Sequence, residues 1–339
     1  MNRRIRVCIV GCGRLTMTLG LTGMMKAEGV VVTGLCEKDA RRLAAAARRC
    51  PSATTYGDLG AALADPNIDA VYVATPPTLH YDMVRRAIEA GKHVLCEKPF
   101  TLRLDEAMDL ERRVPAGIVV MPAHNYLYAP GIEHARAMVA EGLIGEVRRV
   151  ENVHKANAAL WNSYSQYHFS EQSGGVLADD FSHLVYTTML FAGDIRRVDR
   201  VAAERGARGV YDNVAVSGTT ERGVPFELLA SWRSRAISWK IRVVGDKGEV
   251  RVSLLSGWKA EARDVQGRLI ERRGKGNLLA LALGAYKIYQ KEYEDFAGAI
   301  LAGRPPRVAV RDGVGTARVI DAVRNWREEG VKSTAGGSA

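Results

Sequence analysis

The groups in this 339-residue sequence best suited to moving a proton are Glu97-Lys98-Pro99, a lysine between a glutamate and a proline, and an aspartate four residues before a histidine, Asp179 and His183. Partial burial and nearby positive charge lower a lysine pKa, which brings the amine closer to working pH as a proton carrier. Proline fixes its own φ and restricts the residue before it, so Lys98 rides on a stiffer backbone than an ordinary surface lysine. If the chain is helical from Val176 onward, Asp179 and His183 share one face and Asp180 does not. A carboxylate so placed can orient the imidazole and hold its charge, which makes histidine a competent proton acceptor. The residues alone also admit structural roles: a solvated Lys98 beside a strand-ending proline, and an aspartate–histidine pair that only stabilises a helix.

These groups need elements to carry them. The run His93-Val94-Leu95-Cys96 has the length and apolar character of a buried parallel strand, which puts Glu97 and Lys98 at its carboxyl end, where open α/β sheets bind ligands. Upstream, a strand over 6–10 breaks into Gly11-Cys12-Gly13-Arg14-Leu15-Thr16, followed by a helical stretch to about Lys26. Glycines between strand and helix let backbone amides approach a pyrophosphate, although Thr16 stands where the third glycine of such a fingerprint is usual. The strand over 30–36 ends in Glu37, placed to hold the two ribose hydroxyls of NAD. Lys38, Arg41 and Arg42 follow and could hold a phosphate instead. A helix over 40–49, another opening at Leu59, a strand over 70–74 ending in Thr75-Pro76-Pro77-Thr78-Leu79-His80, and a helix over 82–90 closed by Gly91 complete the alternation of a doubly wound parallel sheet.

The glycine turn, the strand-end Glu37, the ATPPTLH turn and AGKHVLCEKP together resemble the Gfo/Idh/MocA oxidoreductases, in order and spacing, over about the first 120 residues. The resemblance implies NAD as cofactor, with NADP possible. It places Lys98 beside the nicotinamide and the reacting hydroxyl, and lines the cofactor with the turn from Thr75 to Pro77. The cofactor contacts expected on this basis are Gly11, Gly13, Arg14, Leu15, Glu37, Thr75, Pro76, Pro77, His80, Glu97, Lys98 and Asn125. In the same family a Gly-Gly pair precedes an aspartate and a histidine that face the lysine across the cleft, and Gly174, Gly175, Asp179 and His183 fall on that pattern. Phe181 stands where a glycine is common, Tyr186 replaces a frequent aspartate, and Leu127 replaces a basic residue, which alters the pocket wall more than the acid/base set.

Substrate contacts are expected from Tyr128, Trp161 and His168, within an aromatic stretch that also holds Tyr164 and Tyr167. From about Met121 the pattern changes to a helix over 130–141 and long alternating stretches over 146–154, 197–203, 213–220, 225–233, 238–244 and 249–254. Antiparallel strands joined by glycine turns fit this pattern, and helices over 283–302 and 312–329 follow. The expected fold is therefore α/β: a Rossmann domain over 1–121, an α+β substrate and oligomerisation domain with a large, mainly antiparallel open sheet over 122–330, and a flexible tail over 331–339. A sheet that broad needs a cover, which points to a homodimer or homotetramer.

Composition narrows the class. Hydrophobic content of 47% and charged content of 25% are those of a globular protein. The excess of 48 basic over 38 acidic residues, +10 in all, is scattered over helices, without the basic and aromatic stripe of a nucleic-acid surface. No nucleic-acid or membrane partner is expected. The five cysteines, Cys8, Cys12, Cys36, Cys50 and Cys96, form no C-x-x-C, so buried reduced thiols, a cytoplasmic location and no metal site are expected. The function these features imply is hydride transfer between a nicotinamide and a secondary alcohol or ketone on a sugar, nucleotide sugar, aminosugar or cyclitol. Lys98 and His183 would share the proton and Asp179 would position His183. An imine or conjugated double-bond reductase is the nearest alternative, and a non-catalytic NAD(P) sensor a third.

Overall fold

A computed structural model describes residues 3–157, 170, 174–255, 258–274 and 278–326, with 278–284 as backbone only. Trp161, Tyr164, Tyr167, His168 and the expected tail at 331–339 lie outside the described residues.

The first sheet is built from β1 (Ile5–Val10), β2 (Val30–Cys36), β3 (Thr54–Tyr56), β4 (Ala70–Val73), β5 (His93–Cys96) and β6 (Val120–Pro122). Its order is β3-β2-β1-β4-β5-β6 and all its pairings are parallel. The chain reverses between β1 and β4, so the crevice at their carboxyl ends is the topological switch point where such sheets bind ligands. The crossover helices are α1 (Leu21–Lys26), α2 (Ala40–Arg49), α3 (Leu59–Ala64), α4 (His80–Glu89) and α5 (Leu104–Arg113). Asp39 and Asp58 start α2 and α3 by accepting the backbone N–H of Arg42 and Ala61. Every residue of β4 is buried, as a central parallel strand requires. All five cysteines are free and buried, packed as small hydrophobes in this first part of the chain.

After α6 (Pro130–Ala140) comes an eight-stranded sheet of β7 (Val147–Asn157), β8 (Ile195–Arg205), β9 (Tyr211–Thr220), β10 (Pro225–Ser231), β11 (Arg233–Gly245), β12 (Gly248–Ser253), β13 (Lys259–Asp264) and β14 (Leu269–Arg273). Its order is β14-β13-β12-β11-β7-β10-β9-β8, antiparallel except for the β7–β10 pair. Between β7 and β8 lie α7 (Gly175–Ala178) and α8 (Asp180–Ala192), and α9 (Leu278–Ala302) and α10 (Val310–Arg324) follow the sheet. Alternate residues of β7, namely Val150, Asn152, His154 and Ala156, face the core. The other face carries charged rows in which Arg149 meets Glu227 and Arg242 meets Glu151. The last two helices return to the first sheet. A Cβ on Gly23 of α1 would lie 2.8 Å from Tyr289 of α9, and one on Gly313 of α10 would lie 2.8 Å from Pro122. Among the described residues no helix is long and apolar enough to cross a membrane.

Candidate active site

Gly11 takes a φ of +97°, and a Cβ there would sit 2.6 Å from the carbonyl oxygen of Ala74, so only glycine lets the loop lie this close to the end of β4. Gly13 differs: a Cβ there meets nothing within 4 Å, which leaves a bare backbone edge open to the crevice. Glu37 closes the same corner. Its Oε2 accepts the Cys12 N–H at 3.0 Å, and its Oε1 accepts from Asp39 N at 3.0 Å and from the Arg42 guanidinium at 2.8 Å. Burial raises the Glu37 pKa, but these bonds outweigh it and hold the carboxyl below the ordinary value. A bare glycine edge beside an ionised strand-end acid fits a dinucleotide, whose ribose hydroxyls such an acid would hold. Arg14 and Leu15 are exposed at the start of the helical stretch that follows the glycine turn, Thr75 and Pro77 are partly exposed and Pro76 is exposed beyond β4, and Thr16 is buried.

His80 was expected in the crevice, but the structure puts it behind. The ring is 0% exposed, with Nε2 2.8 Å from the Thr75 carbonyl and Nδ1 2.9 Å from the Pro99 carbonyl. It fastens the turn after β4 to the turn after β5. Tyr128 is likewise displaced from the expected substrate contact. It is buried, donates to Asp295 at 3.0 Å and lies under the Arg307 guanidinium, because the turn at Asn125–Tyr128 aims it at α9.

Lys98, at the end of β5, donates its ammonium to the Asp179 carboxylate. Glu97 beside it accepts from the Tyr72 hydroxyl at 2.5 Å and from Lys98 N at 3.2 Å. Burial alone would lower the lysine pKa, as expected from the sequence. Asp179, Asp180 and Glu97 outweigh that penalty and leave Lys98 above its ordinary value, so it is a cation in this structure.

The continuous helix expected from Val176 is interrupted. Gly174 and Gly175 take φ of 75° and 60°, and a Cβ on Gly175 would meet the Tyr211 carbonyl oxygen at 2.3 Å. After one turn of α7, Asp179 leaves helical geometry at φ −84°, ψ −89°, and α8 starts afresh at Asp180. The break changes the pairing that spacing suggested. Asp179 turns to Lys98, and the Nδ1 of His183 is held by the Tyr186 hydroxyl at 2.5 Å. Asp180, set aside on the assumption of one continuous helix, points inward to accept the Trp232 indole N–H at 2.5 Å, with His154 Nδ1 3.3 Å away. Burial opposes its ionisation, yet His154, Trp232 and Lys98 prevail and hold its pKa well below the ordinary range.

His183 is fixed in height by the buried Asn152. That amide donates to Leu184 O at 3.1 Å and to the Thr187 and Thr188 hydroxyls at 2.8 and 3.2 Å, and accepts the Trp239 indole N–H at 2.9 Å. Tyr126 meets the imidazole edge-on at 4.8 Å and Trp239 flanks it at 5.9 Å. Burial, reinforced by the Lys98 charge, pulls His183 well below its ordinary pKa, so the ring is neutral. Neighbouring His124, stacked on Tyr186 at 4.1 Å, is pushed down to about 3 by burial. Asn125 accepts from the Tyr186 hydroxyl at 3.3 Å. Sequence reasoning missed Asp180, His154, Trp232, Trp239 and Tyr126. The available signal was polar residues at core-facing alternate positions of a strand, Asn152 and His154, which a core admits only when something satisfies them. A cation and a neutral imidazole, carried on the lysine loop and on α8, form an arrangement suited to polarising an oxygen and receiving its proton.

A parallel sheet with a dinucleotide corner at its switch point and a charged lysine at a strand end defines a nucleotide-dependent oxidoreductase of two-sheet architecture. Residues 5–121 match the profile of the oxidoreductase family with an NAD-binding Rossmann fold, and residues 132–251 match the GFO/IDH/MocA C-terminal domain. D-xylose 1-dehydrogenase (NADP(+)) 2 of Haloferax volcanii is 28% identical over 301 residues, covering 87% of this chain and 89% of that protein. A dTDP-3,4-didehydro-2,6-dideoxy-alpha-D-glucose 3-reductase of Actinomadura kijaniata is 27% identical over 326 residues, covering 94% and 95%. Levoglucosan dehydrogenase, solved with NADH and levoglucosan, superposes with a TM-score of 0.84 at 22% identity, covering 95% of this chain and 96% of that one. The chain belongs to the Gfo/Idh/MocA family of NAD(P)-dependent oxidoreductases.

Proposed function

We propose that the protein moves a hydride between NAD(P) and a secondary alcohol or ketone carbon of a carbohydrate-like substrate, a sugar, nucleotide sugar, aminosugar or cyclitol. Lys98 and His183 handle the proton. The observation that carries this reading is the pairing of a charged lysine at the end of β5 with Asp179, beside a neutral imidazole on α8. Bound NAD(P) supplies the hydride acceptor for oxidation or the donor for reduction. In oxidation, the Lys98 ammonium hydrogen-bonds the hydroxyl oxygen and stabilises its developing negative charge, while His183 receives the proton. In reduction the steps reverse: the same ammonium polarises the ketone and protonated His183 returns its proton to the forming alkoxide. Asp179 holds Lys98 at the cleft and Glu37 faces the ribose. The carbohydrate class is supported by the relatives, which are named for a pentose and for a deoxyhexose nucleotide. A homodimer or homotetramer is part of this reading and rests on the breadth of the eight-stranded sheet.

The test follows nicotinamide absorbance at 340 nm with NAD and NADP in parallel against sugars, nucleotide sugars, aminosugars and inositols. Turnover on a ring alcohol is expected. Lys98→Met should lower kcat by about 10²–10⁴-fold, the range of a positioned acid or base, with cofactor Kd nearly unchanged. Tight cofactor binding with no turnover on any alcohol or ketone would sink the reading.

A further inference from the structure

The proton on His183 has a definite place, and the residue that sets it is not an acid. A neutral imidazole carries one N–H, and whichever nitrogen lacks it is the acceptor. Tyr186 and Asn125 decide the matter. The Tyr186 oxygen lies 2.5 Å from His183 Nδ1, 3.4 Å from the backbone N–H of Tyr126 and 3.3 Å from Asn125 Oδ1. The Tyr126 N–H can only donate, and the Asn125 oxygen can only accept. The phenol has a single proton, which goes to Asn125, so its oxygen is left to receive from both Tyr126 and His183. We propose that Tyr186 is the positioning residue for His183, holding it with the proton on Nδ1 and the lone pair of Nε2 free for the substrate hydroxyl.

Other features agree. The structure gives His183 Nε2 no hydrogen-bond partner among the described residues, and the residue keeps 7% exposure where Tyr186 keeps 2%. Burial keeps the Tyr186 phenol well above its ordinary pKa, so its proton is retained. His124 stacks on the tyrosine ring with planes 14° apart, which fixes where the hydroxyl points. Asp179, the acid that spacing offered for this role, is bonded to Lys98. Asp180 acts on His183 only through space, beside Lys98, His154 and His124.

The assignment rests on the proposed reaction for its catalytic consequence but not for the tautomer, and the experiment separates them. Protein labelled with ¹⁵N-histidine, saturated with NAD(P)H, is examined by long-range ¹H–¹⁵N correlation, with the His183 signals identified by their loss in His183→Asn. The wild type should show a protonated Nδ1 and an unprotonated Nε2. Tyr186→Phe, which keeps the stacked ring, should release the tautomer into a mixture and reduce kcat about 10- to 100-fold with cofactor Kd unchanged. Asn125→Ala provides a second route: without its acceptor the Tyr186 proton turns to His183, and the tautomer should invert to Nε2–H. A wild-type protein protonated on Nε2, or variants that leave the tautomer as it was, would overturn the proposal. A shifted tautomer with unchanged turnover would establish Tyr186 as the orienting group and overturn the part given to His183 in the reaction.

Discussion

Lys98 keeps its proton because three carboxylates stand close enough to offset the cost of burying an ammonium, and they are not equivalent. Asp179 is in contact, Glu97 is adjacent in the chain, and Asp180 acts from the start of α8, where His154 and Trp232 hold it ionised. The consequence is a signed pH effect. Asp180→Asn removes one of the charges that raise the Lys98 pKa while still offering Trp232 an acceptor. In the ketone-reducing direction, activity that needs the ammonium falls on the alkaline side, and this limb of kcat/KM should move to lower pH in the variant. A limb that stays in place or moves upward would show that Asp180 does not act on Lys98. Lys98 itself was readable because a buried strand followed by a proline locates it at a sheet edge. The partners of His183 were not. Four-residue spacing places two side chains together only on an unbroken helix, and the chain leaves helical geometry at Asp179, one turn before the histidine. His80 misled for a related reason: its neighbours Thr75 and Pro77 border the crevice, while the ring itself turns under both loops.

At the scale of elements, parallel strands and capped helices were legible because their apolar runs and glycine stops are strong local signals. The strands of the second sheet that escaped notice are β14, its edge strand, and β13 beside it, where Leu-Ile-Glu-Arg-Arg and Lys-Ala-Glu-Ala-Arg-Asp carry charge. Edge strands are kept charged to discourage further pairing, so their composition resembles that of loops. The packing of α1 on α9 was also out of reach of local patterns. Gly23 looks like a poor helix residue, but it brings the two backbones together: a Cβ there would lie 2.8 Å from Tyr289 Cβ and 2.9 Å from Gln290 N. Gly23→Ala should therefore destabilise the protein by about 1–3 kcal/mol despite alanine's better helix propensity, a cost typical of overpacking. Thermal unfolding checks the sign, and an unchanged or raised Tm would mean that the helices can part without loss.

Across the whole molecule, α9 joins the two sheets and carries a group with no compensation. Glu292 is buried at 1% exposure, with neither carboxylate oxygen hydrogen-bonded among the described residues. Burial, with Glu97 and Asp295 adding repulsion, drives its pKa well above the ordinary value. The folded state therefore binds this proton more tightly than the unfolded chain does. The stability linked to it is fully present below the unfolded pKa and is lost as pH rises toward the folded one. Glu292→Gln, which cannot ionise, should raise Tm at pH 7 and give progressively less advantage as pH approaches 4.5. A variant equally destabilised at both pH values would mean that the carboxylate has a partner that glutamine cannot replace. The same long-range return of α9 and α10 means that the first sheet's helices are finished by residues near 290 and 313.

The five thiols in the first sheet and its helices have a different consequence, for chemical ageing. Each is enclosed, and burial raises Cys8, Cys36, Cys50, Cys96 and Cys12, the last to about 12, which starves them of the thiolate that oxidants attack. Damage by peroxide or disulfide exchange must wait for the nucleotide-binding half to open. The oxidative lifetime of these thiols is therefore set by the rate at which that half opens, with bound dinucleotide acting as a preservative.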